Sequence, residues 1–170
     1  MSIDSIFQVI EAIAVVIGVG FAIVQVRQYR QDKQREAAME LLHSFQTPSF
    51  ARALNIVYSM PDGLSKEEVV KFADNEFHLV YAMTTTWESL GILVHQGEID
   101  LNLVSDFFSG PIIVSWRKLE RFVIGEREET KRETVNEWFQ WLKERLEEVE
   151  AEAPPIPAHI EFKDWTPPRR

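Results

Sequence analysis

The feature that most constrains this chain is a 21-residue run from Ile6 to Val26, apolar except for Gln8, Glu11 and Gln25, followed at once by a cluster of basic residues. As a helix rising ~1.5 Å per residue it would be about 31 Å long, the thickness of a bilayer's hydrocarbon core. The first 26 residues carry only Asp4 and Glu11, whereas residues 27–35 carry Arg27, Arg30, Lys33 and Arg35 against Asp32. The remainder holds 14 basic and 24 acidic residues, a net charge of −10. A basic collar between an apolar N-terminus and an acidic body is the charge pattern of a membrane boundary. The positive-inside rule then puts Arg27 onward in the cytoplasm and the N-terminus outside. A cleaved signal peptide would carry its positive charge before the apolar run, and a buried core helix has no need of the collar. The sequence predicts a retained single-pass anchor.

One face of that helix differs from the rest. Gln8, Glu11 and Gln25 share a stripe with Ala14, Gly18 and Ala22 at helical spacing. The other faces carry Phe7, Ile10, Ile13, Ile17, Phe21 and Val24, suited to lipid. Small residues let helix backbones approach closely and polar ones hydrogen-bond across the contact, so these six positions are the candidate helix–helix interface of a homo-oligomer. Glu11 is the costliest of them at depth. It has three readings: a dry seam, a pore lining, or a side chain reaching the outer headgroups.

A total of 170 residues bounds the chain to one main domain, and 45% hydrophobic residues are ample for a packed core. The net charge of −9 leaves no basic surface for nucleic acid. No cysteine is present, which removes disulfides, thiol nucleophiles and cysteine-type zinc sites. No strand signal appears, so the expected fold is all-α: the single N-terminal transmembrane helix continuing into a cytoplasmic helical bundle. Residues 1–5 are a short outer terminus, 6–26 the span, 27–46 a juxtamembrane helix, 47–153 the helical domain and 154–170 a proline-rich extended tail. Thr47-Pro48 and Ser65–Glu68 read as helix starts, Pro61-Asp62-Gly63 as a turn. A long central helix should run from about Asn75 to His95 and stop at Gly97. Gly110-Pro111 should end one short helix and begin another, and a last helix should run from Thr130 to about Glu150. Five of the eight prolines lie in the tail, where they exclude helix. Its Ile160, Phe162 and Trp165 are too apolar for a solvated end, so it straps its own domain or docks on a neighbour.

Motifs for phosphate loops, nucleophile elbows and zinc proteases are absent. Glu40 and His43 have the E-x-x-H spacing of di-iron bundles, but the chain has no second copy and only pairing across a dimer could supply one, so neither a metal nor any other cofactor is expected. Thr84, Thr85, Thr86 and Glu88 read either as a polar pocket or as hydroxyls bonded to the preceding turn with Glu88 at the surface or paired with a cation. Arg117, Lys118 and Arg121 form a small basic patch, with Arg127, Lys131 and Arg132 nearby. It suits intramolecular pairing first and anionic lipid second.

The block from Trp87 to Val123 carries the Glu88 helix, the Gly97 turn, the Ile99-Asp100 restart and the run from Phe107 through Gly110-Pro111 to Trp116. In these features the chain resembles an uncharacterised bacterial family, a domain of unknown function that joins an N-terminal membrane helix to a helical cytoplasmic domain. The resemblance implies a stable helical module in the bacterial inner membrane and no particular activity. The expected role is a membrane-anchored, self-associating scaffold or regulatory protein with lipid and its own copies as partners. The alternative is a channel lined by Gln8, Glu11 and Gln25, and an enzyme with an unrecognised site ranks lower.

Overall fold

The computed structural model describes residues 15–29, 36, 43 and 45–167, and the chain divides into two units, residues 1–45 and 46–170. All regular structure among the described residues is helical. In the first unit, residues 15–29 form helix α1, and residues 36, 43 and 45 are also helical.

The second unit holds α2 (Pro48–Ser59), α3 (Lys66–Ala73), α4 (Phe77–His95), α5 (Leu101–Thr130), α6 (Glu137–Glu152) and α7 (Ala158–Glu161). Local chemistry sets most of their ends. The Thr47 hydroxyl accepts from Phe50 N at 3.2 Å with Pro48 in the first turn, where a missing N–H costs nothing. Ser65 and Glu68 close a reciprocal capping box on α3. At the end of α4, Gly97 takes φ +74°, and Glu98 N and Gly97 N donate to the carbonyls of Leu93 and Val94. That paired bonding requires a left-handed residue, which glycine supplies without a Cβ clash. A 3-10 turn, Asp74–Glu76, occupies the expected first residues of α4.

The core lies between α4 and α5, because α2, α3 and α6 each pack against both. Large rings bridge it: Trp87 meets Phe108 at 6.1 Å between centroids, Tyr81 meets Phe122 at 5.8 Å, and Trp116 meets Phe139 edge-on at 5.1 Å. Such tilted and edge-on pairs suit the ring quadrupoles as well as the burial of apolar area.

Two expectations about the body and two about the tail are corrected. The helix break at Gly110-Pro111 does not occur, and α5 runs for 30 residues with Pro111 inside it. Val104, Phe108, Ile112, Trp116 and Leu119 form one buried stripe across the proline. A break there would forfeit burial on both sides of it, which outweighs a cost of about 3 kcal/mol for an interior proline. The carbonyl that loses its partner belongs to Phe107, on the exposed side of the helix. Thr130 does not start the last helix either. Its hydroxyl donates back to Glu126 O at 2.7 Å and it closes α5. The chain then turns through left-handed Lys131 and Asn136 into α6 at Glu137. In the tail, α7 forms one helical turn in the proline-free stretch after Pro157, a position where proline's missing N–H is not needed. Residues 151–167 are exposed throughout, so the strap across the tail's own domain is not formed.

Candidate functional site

Of the six residues expected at a helix–helix interface, Gln8, Glu11 and Ala14 lie outside the described residues. Gly18, Ala22 and Gln25 lie on α1, and steps of four and three place them on one face. Every residue from 15 to 29 is exposed. Val16 is 71% exposed, Ile17 65% and Phe21 64%, and a Cβ built on Gly18 would meet nothing within 4 Å. Among the described residues no helix is long and apolar enough to cross a membrane. The 15 described residues of α1 span about 22 Å, and residues 6–14 of the expected span lie outside the description.

In the helical body, polar side chains converge where α3, α4 and α5 meet. Lys66 Nζ lies 2.6 Å from Glu126 Oε1 and also pairs with Glu129, while the Tyr81 hydroxyl donates to Glu126 Oε2 at 2.5 Å. Glu126 is buried, so its charge needs both partners. The two carboxylates hold the Lys66 ammonium well above the usual lysine range. Burial first, then the bond to Glu126, pushes the Tyr81 phenol up to about 12. A cavity of about 780 Å³ opens beside the cluster, lined by Ser65, Lys66, Arg121 and Glu129 among others. With the ammonium already engaged by two carboxylates, the cluster ties three helices together.

A second junction joins α6 to α4 and α5. The first turn of α6 has no side-chain cap of its own. Glu88 supplies one from α4, accepting from Phe139 N at 2.8 Å across a sequence gap of 51. Burial raises the Glu88 carboxyl above its usual range, partly offset by the bonds it accepts. One turn along α4, Gly91 lets the backbones close, since a Cβ there would lie 2.4 Å from the Trp138 carbonyl oxygen. Arg127 of α5 donates through Nε to Val135 O at 2.9 Å and through a terminal nitrogen to Gln140 Oε1 at 2.8 Å, fastening the loop between α5 and α6. The reading of Glu88 as a surface or cation-paired residue is thus corrected: it caps a helix. Thr84 and Thr86 do bond to the preceding turn, at Tyr81 O and Ala82 O. Gly91, a glycine inside the long central helix, was the one signal for this junction in the sequence.

The basic patch is engaged within the body. Arg117 and Lys118 pair with Asp62, Lys118 also donates to Met60 O at 2.6 Å, and Arg121 donates to Gly63 O at 2.8 Å. Lys118 holds the Asp62 carboxyl below the usual range. His43 is exposed on the first unit and Glu40 lies outside the described residues. Among the described residues no three His, Asp or Glu side chains are grouped to hold a metal ion.

A family model described as a domain of unknown function (DUF4760) matches residues 12–146. The match takes in most of the apolar run, the basic collar and the helices through most of α6, and stops short of the tail. No curated protein and no solved structure matches the chain.

Proposed function

The chain belongs to the DUF4760 family, and from that premise we propose that it is a membrane-anchored helical module that self-associates through its anchor and presents the acidic bundle as a scaffold or regulatory surface. The observation that carries this reading is α1, apolar on most of its circumference and exposed along its whole described length. Apolar surface on that scale needs a cover. Lipid fits it best, because the Arg27–Arg35 collar follows directly and matches the cytoplasmic edge of a bilayer. The continuous family match supports treating apolar run and bundle as one functional unit.

Within the membrane the stripe of Gln8, Glu11, Ala14, Gly18, Ala22 and Gln25 is the proposed contact between copies. Val15, Gly18 and Ala22 at its middle favour close dry packing over a hydrated pore. Two measurements test the reading on the cysteine-free chain. With Ser2→Cys, an impermeant thiol reagent should label intact cells, whereas Thr134→Cys should be labelled only after lysis; the reverse pattern overturns the orientation. By native mass spectrometry from lipid discs, Gly18→Leu should dissociate the oligomer while Ile17→Leu leaves it intact. An unchanged assembly with Gly18→Leu removes the small-residue seam.

A further inference from the structure

The C-terminal tail leaves its largest apolar side chains bare. Ile156, Ile160, Phe162 and Trp165 are each more than half exposed, Trp165 at 66%. They sit on a one-turn helix, the turn that follows it and the irregular residues on either side, and all of these residues are exposed. Proline on both sides keeps this segment from extending α6 or pairing as a regular element. Its charge is equally unlike the body: residues 154–170 carry Lys163, Arg169 and Arg170 against Glu161 and Asp164, whereas residues 36–153 hold 11 basic and 22 acidic residues. Only the collar at 27–35 shares the tail's positive sign. The family match ends at residue 146, before the tail begins.

We propose that this tail is a second membrane contact, an interfacial arm that inserts Ile160, Phe162 and Trp165 at the headgroup level of an anionic phospholipid surface. Tryptophan favours that depth because its apolar ring is buried there while its N–H stays wet, and phenylalanine and isoleucine add buried apolar area beside it. Lys163, Arg169 and Arg170 supply the attraction to negatively charged headgroups, which would repel the acidic bundle. The inference rests on the membrane reading of the N-terminal helix, and its test separates the two.

The full chain, carrying an environment-sensitive fluorophore on Thr166→Cys or on the lipid-facing Ile17→Cys, is reconstituted into vesicles of phosphatidylcholine alone or mixed with phosphatidylglycerol. A lipid-borne quencher reports contact. The Ile17 probe should be quenched in both vesicles. The Thr166 probe should be quenched at least about threefold more strongly with phosphatidylglycerol, and should lose that excess near 1 M salt, where the screening length falls to about 3 Å. Phe162→Ala with Trp165→Ala should abolish the tail signal without moving the anchor signal. Lys163→Glu with Arg169→Glu and Arg170→Glu should abolish the preference for the anionic lipid. A tail probe that stays unquenched while the anchor probe is quenched overturns the arm alone. A tail probe shielded from an aqueous quencher yet out of reach of the lipid quencher assigns the tail to a second copy, and also overturns it. If neither probe is quenched, the membrane reading falls and the arm with it.

Discussion

Gly91 and Trp138 hold α4 and α6 at backbone contact: a Cβ on Gly91 would sit 2.4 Å from the Trp138 carbonyl oxygen and 2.8 Å from its carbon. Glu88, three residues earlier, accepts the hydrogen bond of the next amide, Phe139 N. Close approach and cap therefore act on the same turn of α6, and that turn feeds Phe139, Leu142 and Leu146 into the core.

Gly91→Ala should be among the most damaging small substitutions in the body. The methyl meets backbone, which cannot rotate away, so the helices must part or bend at a cost of about 2–3 kcal/mol. Thermal unfolding followed by circular dichroism should show a loss of roughly 5–10 °C. A Gly91→Ala protein melting within a degree of wild type would mean the two backbones are not in contact.

Glu88 should behave against the usual trend for carboxylates. Burial raises its folded value above the reference of 4.5. The neutral form is therefore the one favoured by folding, and the group's contribution is fully present below the unfolded value and declines as pH rises through the folded one. Glu88→Gln is neutral at all pH and keeps an acceptor. Its stability relative to wild type should improve by a few tenths of a kcal/mol between about pH 4 and about pH 7, a small figure because the side chain is only half-buried. Glu88→Ala removes the cap and should cost about 1–2 kcal/mol. Urea titrations at the two pH values measure both, and a Gln variant that loses ground as pH rises contradicts the assignment.

The Lys66–Glu126–Tyr81 cluster should fail unequally. Lys66→Met strands a buried carboxylate and should be the more costly change, whereas Tyr81→Phe removes one hydrogen bond and should cost about 1–2 kcal/mol. Because the Tyr81 phenol is raised to about 12 from 10.0, its contribution is complete below pH about 10 and is lost as pH climbs through the folded value. Burial raises the Tyr58 phenol as well, so absorbance titration should show late tyrosinate ionisation of which only the Tyr81 part disappears in Tyr81→Phe. Equal losses from both variants would mean that Glu126 is not carrying a charge that needs Lys66.

Much of this architecture is legible in the sequence where the cause is local. Thr47-Pro48, Ser65–Glu68 and Gly97 mark helix ends through bonds made within a few residues, and each end lies where its chemistry puts it. Pro111 misleads for the opposite reason: its local preference is to break a helix, and burial against distant elements overrides it. Thr130 misleads because a threonine beside a helix end can serve either side of it, and its hydroxyl bonds back to Glu126 O and closes α5. The junctions at Glu88, Arg127 and Glu126 are illegible because their partners arrive from other helices, and nothing in the spacing of charges along one helix says which of them a fold will bury. Membership of a family of unknown function was legible from the block Trp87–Val123, which lies inside the matched residues 12–146.

The central claim is that the apolar N-terminal helix resides in a bilayer, and alkaline carbonate extraction of membranes from cells expressing the full chain tests it most directly. Wild type should stay in the membrane pellet. A variant combining Ile17→Lys and Phe21→Lys, two of the most exposed apolar positions on α1, should move to the supernatant with the circular dichroism of the bundle unchanged, because each buried lysine costs about 2.5–3.5 kcal/mol at mid-membrane. Wild-type protein released into the supernatant by carbonate would contradict the account.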